Sequence, residues 1–327
     1  MATAATVDAV VRAAGPRLAG LLGHVEQRLA ELASGHGDVL ERYAGETIAA
    51  GGKRLRPLLV LLAAGDVDDA PGPALDRLVR SAVAVELIHS ASLVHDDVLD
   101  RAPVRRGRPT VVAAAGRTVA TATGDFLFSR AFAELVASGE VDDVRALSAA
   151  SSALAHGELM QRADAWEVGV PLARYLERCE LKTGSLFEAA CRLGALAAGG
   201  PADALAAFGR RIGLAFQLLD DVLDVSGPAS RTGKARGTDL LDGTVTLPLI
   251  LARERDPQLA ATDLRALGSA AAAEEVCDRI AGTGALADAK QQALAVVAEA
   301  KAGLPPLTAR QQATLELVAD GVVERYT

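Results

Sequence analysis

Aromatic residues are nearly missing from this chain. Of 327 residues, 3% are Phe, Trp or Tyr, and there is a single Trp. A core built on ring packing is therefore excluded. With 50% of residues hydrophobic, helices would have to close on one another through Ala, Leu and Val. Cysteine is also scarce. Cys179, Cys191 and Cys277 are odd in number and lack ligand spacing, which excludes a disulfide framework or a zinc site. They read as reduced core cysteines of a cytoplasmic protein. Long apolar runs are absent too: stretches such as 58–64 fall far short of the roughly 20 residues of a membrane span. Residues 1–10 are small and mildly polar, unlike a secretory leader. The expectation is a soluble, cytoplasmic protein. A net charge of −8 argues against nucleic acid as the main partner. No Ser/Gly tract, Pro-rich run or charge block reads as a linker, so 1–327 is expected to be a single domain.

Lysine is the last scarcity. Only five of the 34 basic residues are lysines: Lys53, Lys182, Lys234, Lys290 and Lys301. Three of them fall inside the motifs that follow.

What is present is acid, in two matching sets. Asp96, Asp97 and Asp100 lie in LVHDDVLD at i, i+1 and i+4. Helical spacing puts the first and last one turn apart on one face, with the middle one about 100° round. Three like charges this close repel, and a hard divalent cation such as Mg²⁺ removes the penalty. The stretch then breaks into a loop with Pro103, Arg105, Arg106, Gly107, Arg108 and Pro109. Carboxylates for metal followed by guanidinium groups for phosphate point to a diphosphate chelated to Mg²⁺. A lone set of this kind reads more readily as a solvated helix end. The second copy decides otherwise: Asp220, Asp221 and Asp224 repeat the spacing in FQLLDDVLD.

Other features are weighed the same way. In GGKRLRP, Lys53, Arg54 and Arg56 fall at the N-terminus of the next helix, where an anion is favoured. Asp66, Asp68 and Asp69 read as a solvated turn, and so do Asp142 and Asp143. His95 reads as a core group. Asp125 reads as a cap or a partner of the loop arginines. Lys182-Thr183 is placed near the middle of a helix, where a lysine usually snorkels to water. Helices are expected over 73–100, 111–137, 148–163 and 202–225.

The two triads, the Arg-Arg loop, GGKRLRP, LKTG and GTDLLDGTVTLP occur in one order between Gly51 and Pro248. In this the chain resembles the trans-isoprenyl (polyprenyl) diphosphate synthases, of the medium- and long-chain bacterial type. The resemblance implies an all-α bundle of roughly ten or more mostly antiparallel helices around a central cavity. It implies a homodimer using Mg²⁺, about three ions per site, with Mn²⁺ as a substitute. Gly52, Lys53, Arg56, His89 and Arg106 correspond to the isopentenyl diphosphate site. Arg105, Lys182 and Lys234 correspond to the allylic diphosphate site. Lys182, Thr183 and Gln217 correspond to the catalytic groups, and the six triad aspartates to the metal ligands. Asp239 corresponds to an acidic residue supporting the metal site.

The implied reaction condenses isopentenyl diphosphate with an allylic diphosphate, farnesyl or geranylgeranyl. The product would be an all-trans chain of roughly four or more units, as for quinone side chains. Ala91 and Ser92, with Ile88 beyond, are expected to set chain length. Both positions are small where short-chain members of the family carry an aromatic. One departure stands out: Thr244 occupies the place of a usual lysine, removing one charge from the allylic site. Three alternatives remain: a geranylgeranyl diphosphate synthase for carotenoid or terpenoid supply, a subunit of a heteromeric synthase, and a terpene cyclase. The intact triads count against a non-catalytic subunit, and Lys53, Arg56 and Asp224 against a cyclase.

Overall fold

The computed structural model describes residues 9–66, 72–227 and 236–324, and they are helical almost throughout. In chain order the elements are α1 (Pro16–Ala33), α2 (Asp38–Ala49), α3 (Leu55–Ala64), α4 (Pro73–Leu99), β1 (Val104–Arg105), β2 (Arg108–Pro109), α5 (Val111–Ser138), α6 (Val141–Ala163) and α7 (Leu172–Cys179). A π-helical turn (Glu180–Gly184) leads to α8 (Ser185–Ala198) and α9 (Ala202–Ser226). Then come α10 (Thr238–Leu241), α11 (Leu247–Arg253), α12 (Pro257–Ala260), α13 (Ala270–Gly282), α14 (Ala285–Ala302) and α15 (Ala309–Glu324). The expected all-α class is found. No described helix is long and apolar enough to cross a membrane.

The chain divides into two compact units. The first holds residues 1–151, 186–209 and 304–318, and the second holds 152–185, 210–303 and 319–327. In the first unit α4 and α5 form the most extensive helix pair, with α3 against α4. Every residue of α3 from Pro57 to Ala64 is buried, as a helix apolar on all sides requires. Its last carbonyls would be orphaned, but Gln311 Nε2 donates to Leu62 O at 3.2 Å and Ala63 O at 2.9 Å. Close packing without aromatics is visible at Gly194 of α8, where a Cβ would fall 2.0 Å from Val60 O.

Several expectations are corrected here. The arginine loop is a small antiparallel hairpin, with Arg105 paired to Arg108. Its two-residue turn, Arg106-Gly107, has φ of 52° and 75°, as a type I′ turn demands. Helix α6 starts at Val141 rather than 148. Asp143 is not a solvated turn residue. It is fully buried, and Arg77 grips both its oxygens at 2.8 Å, a distant partner that local sequence does not show. Asp142 is exposed and pairs with Arg145.

The stretch 172–198 is helical but not uniformly α. Residues 180–184 widen into the π turn, which corrects the plain helix expected around Lys182. Gly157 of α6 makes room for that turn, because a Cβ there would sit 2.5 Å from the Lys182 backbone nitrogen. All three cysteines are buried and free, with burial pushing each thiol upward.

Candidate active site

Each triad sits at the C-terminal end of its helix. Asp96 and Asp97 close α4, Asp100 is its C-cap, and Asp220 to Asp224 lie just before α9 ends at Ser226. Carboxylates are disfavoured there by the helix dipole, so the placement needs cations.

In the first unit one cation is built in. Arg105 Nε donates to Asp97 Oδ1 at 2.7 Å, so the hairpin holds the middle carboxylate of the triad. The neighbouring Arg106 reaches the other way, over Gly52. A Cβ on Gly52 would lie 3.0 Å from the Arg106 guanidinium, so the glycine clears that space. Burial, together with nearby Arg105 and Arg54, pushes the Arg106 pKa down against the pull of Glu86. Arg56 lies with its guanidinium 4.7 Å from the Phe187 ring centroid, and its Nε is buried without a partner. Burial lowers it to about 10. His89 is half-buried, and its pKa falls well below the usual value through burial and then the fields of Arg56 and Arg106. The imidazole is therefore neutral. Lys53 is exposed at the same helix entrance.

Arg54, the third basic residue of GGKRLRP, is a brace rather than a ligand. Its guanidinium is taken by Glu26 at 2.6 Å, Glu86 at 2.7 Å and Ile48 O at 2.9 Å. Beside the hairpin, Asp97, Arg105 and Arg106 also line a pocket of about 400 Å³ with Arg42, Tyr43 and Leu93. That volume suits a small ligand. His95 packs against Phe128 and pairs with Asp125 at 3.2 Å, so Asp125 serves His95 and not the loop arginines.

In the second unit the middle carboxylate is held by neutral groups. Tyr175 OH donates to Asp221 Oδ2 at 2.5 Å and Gln217 Nε2 donates to Oδ1 at 2.7 Å. Burial pushes the Asp221 carboxyl up to about 7, although both hydrogen bonds work the other way. The same Gln217 accepts from Thr183 Oγ1 at 2.8 Å. Its amide orientation is thus fixed: Nε2 faces the carboxylate, Oε1 accepts the Thr183 hydrogen bond, and the hydroxyl lone pairs point elsewhere. Lys182 is held by a close ion pair with Glu158 and lies 3.3 Å from Gln161 Oε1. Burial tends to raise the Glu158 pKa, but Lys182 and Arg162 outweigh it and keep the carboxyl low. Lys182, Thr183 and Gln217 are therefore brought together. Asp224 Oδ2 accepts from the Asp239 backbone N–H at 3.3 Å. Among the described residues no set of three or more His, Cys, Asp or Glu side chains is already gathered closely enough to hold a metal. Lys234 lies outside the described residues.

A model of polyprenyl synthetases matches residues 38–282. The chain belongs to the polyprenyl synthetase family. Component 2 of the heptaprenyl diphosphate synthase of Geobacillus stearothermophilus is 39% identical over 279 residues, 82% of this chain and 85% of that protein. The geranylgeranyl diphosphate synthase of Methanosarcina mazei is 38% identical over 290 residues, covering 85% of this chain and 87% of its own. Among solved structures, the polyprenyl synthase of Caulobacter crescentus, crystallised with calcium and isoprenyl diphosphate, superposes with TM-score 0.86 at 36% identity, over 98% of both chains. Membership supports trans-prenyltransferase activity on isoprenoid diphosphates.

Sequence reasoning about this polyprenyl synthetase missed Tyr175, Glu158, Phe187 and Trp166. Each acts through a long-range contact. Only Glu158 left a signal, at three residues before Gln161 on the helix face that meets Lys182. The expected chain-length residues Ile88, Ala91 and Ser92 are all buried on α4.

Proposed function

We propose that the protein joins isopentenyl diphosphate to an allylic primer, farnesyl or geranylgeranyl diphosphate, and releases an all-trans polyprenyl diphosphate of roughly four or more units for quinone side chains. The observation that carries this reading is the cation group around Gly52. Arg56 and Arg106 are buried enough to be depressed in pKa, and among the described residues no carboxylate is hydrogen-bonded to either. A second diphosphate, one that does not ionise, satisfies them. A cyclase needs no such site.

The donors at the triads are all carboxylate oxygens, which fits Mg²⁺. Asp96, Asp97, Asp100, Asp220, Asp221 and Asp224 are the residues to hold it, with Mn²⁺ as a substitute. When bound, Mg²⁺ supplies charge stabilisation to the departing diphosphate. The chain's own groups do the rest. Lys182, braced by Glu158 and Gln161, offers its ammonium to the allylic diphosphate, with Arg105 and Lys234. Thr183 Oγ1 donates a hydrogen bond to Gln217 Oε1 and turns its lone pairs toward the cation that develops. Gly52, Lys53, Arg56, His89 and Arg106 hold isopentenyl diphosphate while its double bond attacks. The proton lost afterwards goes to the released diphosphate, so no side-chain base is required.

We place the enzyme in the cytoplasm as a homodimer. Val136, 63% exposed on α5, is one apolar side chain such an interface would cover. The test is incubation of the pure chain with Mg²⁺, isopentenyl diphosphate and farnesyl diphosphate, followed by chromatography of the dephosphorylated products. A ladder ending at one length supports the reading, and cyclic hydrocarbons or alcohols refute it. A second reading comes from the name "component 2" borne by the Geobacillus stearothermophilus relative. If the pure chain is inert but gains activity with a partner subunit, this heteromeric reading replaces the first. A product stopping at geranylgeranyl diphosphate would instead indicate carotenoid or terpenoid supply.

A further inference from the structure

The loop that follows the second triad is tied to a residue the reaction does not use. Gly237 N–H donates to Asp224 O at 3.0 Å, and Asp239 N–H donates to Asp224 Oδ2 at 3.3 Å. Thr244 N–H donates to Asp239 O at 2.7 Å. Gly243 O, one peptide earlier, accepts from Trp166 N–H at 2.7 Å. Three hydrogen bonds thus run from the last carboxylate of the triad to Trp166, and a fourth ties Gly237 to the Asp224 backbone carbonyl, all within the second unit.

Trp166 is not placed like a core tryptophan. Its φ is 72°, in the left-handed region that costs a bulky residue most. It is half-buried, and its ring lies against Gly243. A Cβ on Gly243 would fall 2.3 Å from ring atom Cδ2, and Gly243 itself has φ of 73°, so only glycine fits under the ring. The Arg265 guanidinium is 6.0 Å from the ring centroid. Just upstream, Asp164 is buried and accepts from Arg174 Nε at 2.7 Å, which fixes where the strained turn begins.

We infer that Trp166 is a positioning residue: its left-handed backbone and its ring set the 237–246 loop, and the loop sets the direction of the Asp224 carboxylate. Trp166 touches no triad oxygen, so it acts only through Asp239 and Gly243. The inference rests on the metal-diphosphate reading of the second triad. Charge arriving there draws on Asp224, and the shift passes along the same bonds to the ring. Because Trp166 is the chain's one tryptophan, its emission reports that shift without background.

The experiment uses the full chain, Mg²⁺ and inorganic diphosphate, with no turnover needed. Tryptophan emission should change saturably with Mg²⁺ plus diphosphate, and Asp224→Asn should abolish the change. In steady-state assays Trp166→Gly should raise the Mg²⁺ concentration for half-activation by roughly 10-fold, the usual cost of losing an outer support of a metal ligand. Allylic KM should rise with it while isopentenyl KM stays within about twofold, and Trp166→Phe should recover most of the loss. Should Trp166→Gly not fold, the emission response and the Phe variant decide. Emission indifferent to Mg²⁺ and diphosphate overturns the inference, as does a Trp166→Gly enzyme with unchanged Mg²⁺ dependence. A wild type that is inert in condensation yet shows the Asp224-dependent emission change sinks the proposed function and leaves this inference standing.

Discussion

The two aspartate triads share one sequence pattern and are held in opposite ways. Asp97 is gripped by a guanidinium, so its charge is compensated before any ligand arrives. Asp221 is buried and held by a phenol and an amide, both neutral, and its carboxyl is pushed up to about 7. A repeated motif therefore does not mean a repeated site. In the first unit an arginine holds the middle acid directly, whereas in the second a phenol and an amide hold it and Arg178 acts only through its field. The second triad should depend more on incoming cations.

The largest effect should come from the outer aspartates, where the two triads are alike. Asp96→Ala and Asp220→Ala should each lower turnover by about 10²-fold or more, with Tm near wild type, since removing one of several clustered like charges relieves repulsion. Near-normal turnover in either variant would break the assignment of that triad to metal.

The middle aspartates should separate the two. Asp97→Asn strands Arg105, which is partly exposed, so a modest loss of about 1 kcal/mol is expected. Asp221→Asn removes a carboxylate that is costly to ionise. The sign follows from the raised pKa. Stability linked to this group is full below about pH 4 and is lost as pH rises through about 7 in metal-free protein. With metal chelated, the Tm of Asp221→Asn relative to wild type should therefore improve between pH 5 and pH 8. A flat difference for Asp221→Asn would mean that the hydrogen bonds already offset burial.

Much of this contrast could not be read in the sequence, for a physical reason. Periodicity and Pro or Gly punctuation gave the limits of α4 and α9, and identical spacing gave the triads. What separates the triads is contact across many residues: Arg105 reaches back eight, while Tyr175 crosses 46. The hairpin was written locally, since Arg-Gly in an arginine-rich loop left a two-residue turn, but strands this short have no alternation to detect. The π turn at 180–184 was hidden because one extra residue per turn leaves apolar spacing almost unchanged. Asp143 was misjudged because nothing near it in sequence announces Arg77.

Product length tests the first unit alone. Ala91 and Ser92 lie one turn before Asp96, and a ring placed there should shorten the chain. Both are buried, so Ala91→Phe must also displace neighbours, at a cost of about 1–3 kcal/mol. If the reading of the pocket is right, an active and folded Ala91→Phe enzyme gives a product near three or four units. Unchanged length would place the tail on another face and make Ala91 a helix-packing residue only.

The smallest expected effect sharpens the comparison most. In the first unit Arg105 holds Asp97, whereas the second unit has Lys182 paired with Glu158 and, at 244, a threonine where the family resemblance implies a lysine. Thr244 is half-buried, and its N–H is already committed to Asp239 O at 2.7 Å, a bond that a lysine would keep. Arg178 donates to Val245 O at 2.7 Å, so one buried guanidinium already stands next to this position. A second cation there meets some repulsion from Arg178 and gains attraction from the allylic diphosphate. The gain should dominate because the ligand brings more than one negative charge. Thr244→Lys is therefore expected to lower allylic KM by a few-fold, about 1 kcal/mol, and to leave isopentenyl KM unchanged. An allylic KM that rises would show that Arg178 supplies the charge in this chain and that the second unit has no room for another.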